Sequence, residues 1–479
     1  MKKYVVTGRK PERVFRFFED LNAIPRGSHN EKAVSDFLLA FAKQRGLEAY
    51  QDSANNVFVR MPATPGMEDR PTVLLQGHMD MVCEKNADVV HDFEKDGIDM
   101  YTDGKYLRAR GTTLGGDDGI ADAMMMAIMD GELEKHPAME FLITTCEEVG
   151  LDGAKSFDYS RVTAKRMINL DSENEDQVTV GCAGGVRTDL VLPVRQVNFR
   201  GVALRLSVRG LAGGHSGENI NSGRANANKL MGRILAAAPD FRLISIDGGS
   251  KDNAIPRECT AVIAVPAFLK QAFLTDFIPN EEAAIRGELF PDDAGFTLTA
   301  EPVTSPAKMW DKNSTLRVVS VLADVANGVL SMSRNVPGLV GYSRSLGVVR
   351  TEGDRVSLVF SARSATESQL DASEDELSAL GALAGAEVSH YSRYPGWDFA
   401  ESSPVRDAWL AAYKRLFGTE PKVTVIHAGL ECGIISSHLP ELDMISVGPD
   451  MKDIHSPDEA LDLDSCERIF RVLEAVLAD

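Results

Sequence analysis

The chain is 479 residues long, more than one ordinary domain accommodates, and its 44% hydrophobic and 25% charged residues sit near the soluble globular average. Its 71 Asp and Glu outweigh 51 Lys and Arg, and the resulting net charge of -20 argues against a nucleic-acid partner, whose phosphates it would repel. No run of about eighteen apolar residues is available to span a bilayer.

Lys2, Lys3, Arg9, Lys10 and Arg13 punctuate an amino terminus that lacks the apolar stretch and small-residue cleavage site of a secretory signal, which predicts a cytoplasmic protein. Residues 31–46 read as a helix stopped at Gly46, and residues 72–76 as a buried strand. Residues 119–134, rich in Met and Ala, predict a second helix, and residues 140–145 and 166–170 two more buried strands. Strands alternating with helices imply a mostly parallel α/β sheet. After about residue 185 the pattern changes, because residues 186–192 and 200–209 alternate like strands with one polar face. Strands at 261–265 and 355–361 and helices at 225–238 and 313–326 keep this α+β character to about residue 390. The first pattern then returns, with a helix at 407–417, strands at 422–426 and 443–447, and a closing helix at 464–477. The simplest parsing is an α/β domain, residues 1–185 and 391–479, interrupted by an inserted α+β domain, residues 186–390. Cys83, Cys146, Cys182, Cys259, Cys432 and Cys466 are dispersed without a Cys-x-x-Cys, which argues against a disulfide framework or a thiolate zinc site and predicts reduced core residues.

Polar residues follow several of these elements. Gly77-His78-Met79-Asp80 comes directly after strand 72–76, at a carboxyl end, where open α/β sheets bind ligands. His78 is a candidate metal ligand and Asp80 is spaced to fix its tautomer, although a His-x-Asp loop is often no more than a loop. Gly115-Gly116-Asp117-Asp118-Gly119 sets two acids at a helix start, where a carboxylate could bridge two cations or simply cap the helix. Cys146-Glu147-Glu148-Val149-Gly150 follows strand 140–145, and adjacent acids on extended backbone point apart, one toward a metal and one toward water. Asp171 ends strand 166–170, and His455 lies in a turn after strand 443–447. Each segment is weak alone, but polar sites placed repeatedly at strand ends and a helix start point to one centre. Imidazoles and carboxylates without thiolates suit zinc, manganese or cobalt, and two ions are the natural count for this many donors.

Together with Gly213-Gly214-His215-Ser216-Gly217 and Ile454-His455-Ser456-Pro457, these segments resemble the M20 metallopeptidases, most nearly their aminoacyl-histidine (Xaa-His) dipeptidases. The resemblance runs almost end to end, from Ile24-Pro25-Arg26-Gly27-Ser28 through Asn253-Ala254-Ile255-Pro256-Arg257-Glu258 to His427-Ala428-Gly429-Leu430-Glu431-Cys432-Gly433. It implies a mostly parallel-sheet catalytic domain interrupted by a lid domain, a homodimer joined through that lid, and hydrolysis of small dipeptides with two divalent ions, zinc first and manganese or cobalt as alternatives. It also implies that His78, Asp117 and Asp171 hold one ion and that Asp117, Glu148 and His455 hold the other, Asp117 being the bridge. Asp80 would orient His78, Glu147 would act as general base on water, and His215 would stabilise the developing oxyanion. Asn253, Arg363 and Gly429 would receive the substrate's carboxylate and backbone, with Arg344 in a neighbouring Ser-Arg-Ser as the competitor of Arg363. The chain departs from the family in reading Gly116-Asp117-Asp118-Gly119 where members often have Ala-Asp-Asn-Gly, an extra acid beside the metals. A deacylase of N-acyl amino acids or an aminopeptidase is the rival within the family. A non-catalytic metal-binding module is the rival outside it, and Glu147 argues against that, since binding alone needs no base.

Overall fold

Apolar, β-branched segments flanked by polar turns form the central sheet of the first part of the chain, in a computed structural model that describes residues 3–334 and 336–479. Across this sheet the strands run Glu48–Gln51, Val57–Met61, Met139–Thr144, Val73–His78, Arg166–Asn169, Asp443–Ser446, Gln177–Cys182 and Lys422–Ile426. Met139–Thr144, Val73–His78, Arg166–Asn169 and Asp443–Ser446 are mutually parallel. Val73–His78 and Met139–Thr144 are buried at every residue, as strands covered on both faces must be. From Val73–His78 the chain goes first to its neighbour on one side, Met139–Thr144, and then to its neighbour on the other, Arg166–Asn169. That reversal makes the end of Val73–His78 a topological switch point, and His78 stands there.

The helix expected over residues 119–134 begins regularly at Gly119 but ends at Met129, followed by Gly131 in the left-handed region at φ 78°. Asp117 and Asp118 precede the regular turns with non-helical backbone angles, and the whole segment Gly116–Met129 is buried. It packs on Val73–His78 and on a helix, Glu12–Leu21, that lies in a stretch read from sequence only for its charges. The closing helix Leu463–Ala478 is capped by the Asp462 side chain, which accepts from the amides of Asp464 and Ser465.

By internal contacts the first unit comprises Met1–Cys182, Trp397–Val425 and Leu430–Asp479, and the second Ala183–Gly396 and Ile426–Gly429. The sequence reading put the junctions after residues 185 and 390. Glu387–Tyr394 pairs with Gly184–Pro193, and this keeps the chain in the second sheet past residue 390. That sheet is nine-stranded and antiparallel, ordered Thr297–Pro302, Val202–Arg209, Cys259–Val265, Arg242–Gly248, Val340–Glu352, Arg355–Ser364, Gly184–Pro193 and Glu387–Tyr394, with Gly328–Met332 paired to Val340–Glu352. Helices Ala227–Ala237 and Lys312–Asp324 pack together, and their apolar faces (Met231, Leu235, Val318 and Leu322) join one core with Leu204, Leu206 and Ile263 of the sheet. Asn226 and Asp311 cap these helices.

The cysteines are all free, as expected, but not all are in the core: Cys83 is exposed and Cys146 only partly covered. Among the described residues no helix is long and apolar enough to cross a membrane.

Candidate metal centre

The three adjacent parallel strands bring their carboxyl ends into line, with His78 beside Thr144 and Gln76 beside Asn169. The chemistry-bearing loops therefore leave the sheet at one level. His78, 1% exposed, sets Nε2 at 3.1 Å from Asp117 Oδ1 and 3.6 Å from Asp171 Oδ1. Its Nδ1 faces Asp80, 3.2 Å from the carbonyl and 3.4 Å from Oδ1. The other Asp117 oxygen, Oδ2, lies 3.1 Å from Nε2 of His455, and the same nitrogen is 3.0 Å from Glu148 Oε2. His455 sits in the turn between the short strands Met451–Lys452 and Ala460–Asp462, with a left-handed backbone at φ 60°.

Asp80 does more than face an imidazole. Its Oδ1 accepts the Glu147 amide at 3.1 Å, and its Oδ2 accepts the Ser28 hydroxyl at 2.8 Å and the Glu148 amide at 3.4 Å. One buried carboxylate thus locks the His78 ring to the turn that carries both glutamates. That turn corrects the expectation of extended backbone at Glu147 and Glu148. Cys146 is left-handed at φ 51°, and the Glu147 carbonyl accepts from the amides of Gly150 and Leu151. The buried Glu31 carboxylate imposes the turn by accepting the Cys146 amide at 3.1 Å.

Three sets of side chains offer ligand atoms within 4.8 Å of one another: Asp117 with Glu148 and His455, His78 with Asp118 and Asp171, and His78 with Glu147 and Glu148. Asp118 is spoken for on one side, since its Oδ2 accepts the backbone amide of His78 at 3.2 Å, while its buried Oδ1 has no hydrogen-bond partner.

Crowding of acids in a buried place shows in their protonation. Burial, then neighbouring acids, push Glu147 and Asp118 well above the usual carboxylate range and Asp171 to about 6. Burial also works upward on Asp117, but hydrogen bonds from His455 and His78 outweigh it and hold this carboxyl low. His455 answers with a pKa raised to about 11 by its bonds to Asp117 and Glu148. So many acids buried around two imidazoles call for positive charge, and imidazole plus carboxylate is the donor chemistry of divalent cations. The residues fit a pair of such ions.

The second unit gathers another set. His215 pairs across a short ladder with Ala254, and the carbonyl of Asn253 accepts the Ser216 amide at 2.8 Å. His215 Nδ1 accepts the Glu218 amide at 3.3 Å, and Arg363 Nη2 stands 3.4 Å from its Nε2. Burial, then Arg363, lower its pKa, so it is neutral near pH 7. Arg363 is 7% exposed, donates to the Tyr394 hydroxyl at 2.9 Å, and keeps a buried Nε with no partner. Gly429 lies against Tyr394 so closely that a Cβ would come 2.7 Å from the ring. Arg344, the competitor of Arg363, is occupied elsewhere, bonded to Tyr342, Ser373 and Glu376.

The fold and the acid-and-imidazole site are those of a metal-dependent peptide-bond hydrolase. The chain belongs to the peptidase family M20/M25/M40, which it matches over residues 74–479. It is similar to the cytosol non-specific dipeptidase of Escherichia coli (strain K12), 37% identical over 474 residues and 98% of either chain. It is also similar to the crystal structure of aminoacylhistidine dipeptidase from Vibrio alginolyticus, with 36% identity, a TM-score of 0.91, and coverage of 98% of this chain and 97% of that one. An aminopeptidase from Bacillus cereus shares the fold at 17% identity and a TM-score of 0.58, over 98% of both chains.

Arg26, Glu31, His427, Glu431 and Glu459 carry contacts that no local motif of the sequence announces. His427 Nε2 meets the Ser343 hydroxyl at 2.7 Å, and Glu431 accepts from Gln76 and Thr144 beneath the metal centre. The four-residue step from His455 to Glu459 was the one available signal. Tyr394 had none.

Proposed function

We propose that this protein is a two-metal dipeptidase that cleaves small unblocked dipeptides, Xaa-His among them. The observation that carries the reading is Asp117, whose two oxygens each lie 3.1 Å from the Nε2 of a different histidine, the disposition of a bridging ligand. In this reading His78, Asp117 and Asp171 hold one ion and Asp117, Glu148 and His455 the other. Asp118 is left in support of the His78 backbone, whose amide it accepts. Two cations bound there would supply Lewis acidity toward the scissile carbonyl and lower the pKa of water. Asp80 fixes the tautomer of His78. Glu147 takes the proton of the attacking water and passes it to the leaving nitrogen, a task suited to a carboxyl raised by burial. His215, whose pKa is lowered by burial and then by Arg363, is the donor to the carbonyl oxygen as it gains charge. Arg363, with an unpartnered buried N–H, receives the dipeptide's carboxylate, while Asn253 and Gly429 meet its backbone.

Zinc is the ion this donor set suits first, with manganese or cobalt as alternatives. A homodimer joined through the inserted domain and a cytoplasmic location complete the proposal, the latter supported by the name of the Escherichia coli relative. The test is metal-stripped protein reloaded with zinc and assayed on carnosine, other Xaa-His and Xaa-Xaa dipeptides, tripeptides and N-acetyl amino acids. Two ions per chain and preference for free dipeptides are expected. Faster turnover of N-acetyl amino acids would replace the reading with a deacylase.

A further inference from the structure

The loop that delivers Asp117 is gripped from outside the ligand set. Glu459, 2% exposed, accepts the amides of Leu114 at 2.7 Å and Gly115 at 3.1 Å on Oε2, and the amide of Gly116 at 2.8 Å on Oε1. These are three consecutive backbone donors, and the next residue is Asp117. Such a nest of amides is an anion site, and its hydrogen bonds oppose the burial that pushes the Glu459 carboxyl upward. On the opposite side the buried guanidinium of Arg26 donates to the carbonyl of Gly115 and to those of Met79 and Asp80, the segment following His78. Gly115 is left-handed at φ 70°, where a Cβ would strike Arg26, and a Cβ at Gly116 would stand 3.2 Å from Glu459 Oε1. Both glycines are what let side chains close on this backbone.

Glu459 also belongs to the same turn as His455, four residues on. Its own amide bonds to the Ser456 carbonyl at 3.1 Å, so the carboxylate and the imidazole are held in one piece. We infer that Glu459 is a positioning residue of the metal centre: by clamping the amides of Leu114, Gly115 and Gly116, it fixes Asp117 at bridging distance from His455 and so sets the affinity for the ion that Asp117, Glu148 and His455 hold. The inference rests on the two-cation reading above. Glu459 touches neither an ion nor substrate, and it acts by joining two ligand-bearing loops.

Glu459→Gln keeps the shape and turns a donor toward the amides, while Glu459→Asp keeps the charge one methylene short. Both are compared with the unsubstituted full-length protein by zinc titration against a chromophoric chelator, and by the visible spectrum of the cobalt-loaded form, which reports ligand geometry. The expected result is two ions in the unsubstituted protein. In Glu459→Gln one of them should be weakened about 10–100-fold, the size of effect that residues behind metal ligands have, with an altered cobalt spectrum, and Glu459→Asp should lie between. Fewer than two ions in the unsubstituted protein would sink the two-cation reading itself. Two ions there and unchanged affinity in folded variants would overturn the role of Glu459 alone. Failure of both variants to fold, with or without metal, would also overturn it, by reducing Glu459 to a structural residue.

Discussion

Replacing Glu147 by alanine separates two roles that geometry alone allows it. The side chain lies within ligand reach of His78 and Glu148, as a third metal ligand would, yet it is also the carboxyl raised by burial and by Asp171 and Glu148 against the opposing pull of His78, as a base would be. The substitution leaves the turn in place, because the contact that anchors it is the Glu147 backbone amide on Asp80 Oδ1 at 3.1 Å, which alanine retains. His78, Asp117, Glu148, Asp171 and His455 keep their mutual distances, so two ions should remain. What is lost is proton transfer, which contributes about 10²–10⁴-fold in rate, or roughly 3–5 kcal/mol of barrier. The assay is kcat on a dipeptide beside metal content per chain, measured on one preparation. A fall in kcat of at least about a hundredfold with both ions in place is expected. An ion lost from Glu147→Ala would make the residue a ligand, and turnover within a few-fold of the unsubstituted protein would remove it from the chemistry altogether.

His455→Ala should do the reverse and release one ion while the fold stays intact, since that side chain is 45% exposed and its bonds are to the other ligands; retention of both ions by metal analysis would contradict the ligand set. Arg344→Met and Arg363→Met should part company. The first strands two buried acceptors, Tyr342 and Ser373, and frees an exposed Glu376, and should cost on the order of 2–4 kcal/mol in urea unfolding, whereas the second should raise KM for dipeptides with little loss of stability, and equal stability losses would refute the distinction. His427 has its pKa lowered to about 4 by burial, then by Arg363 and His215, against about 6.5 in the unfolded chain. Between these values the unfolded chain binds the extra proton, so stability rises with pH from about 4 to 6.5 and is level above, by up to about 3 kcal/mol in all. His427→Asn should flatten that slope in urea melts taken across the window, and an unchanged slope would assign it to other groups.

The parts of the site that were legible in the sequence are those whose placement is decided locally. His78 follows an apolar run that can only be a buried strand, so its position at a sheet's carboxyl end came with the strand, and the same holds for Asp171. The Glu147 turn was misread as extended because nothing in Cys146-Glu147-Glu148 demands a left-handed cysteine. The demand comes from Glu31, 115 residues away. The choice between Arg344 and Arg363 was illegible for a related reason. Arg344 sits in Ser-Arg-Ser and Arg363 in the similar Ala-Arg-Ser, and only the register, Ser343 opposite Arg363 and Arg344 opposite Ala362, puts the two guanidiniums on opposite faces of one sheet. A slip of one residue would set them opposite each other on a single face. Local pattern therefore tells where a strand ends and what chemistry stands there. Long-range hydrogen bonds decide which of two like side chains is tied up and which keeps a free N–H, and Glu459 and Arg26, whose bonds to distant parts of the chain go to backbone amides and carbonyls, carry no side-chain motif that announces them.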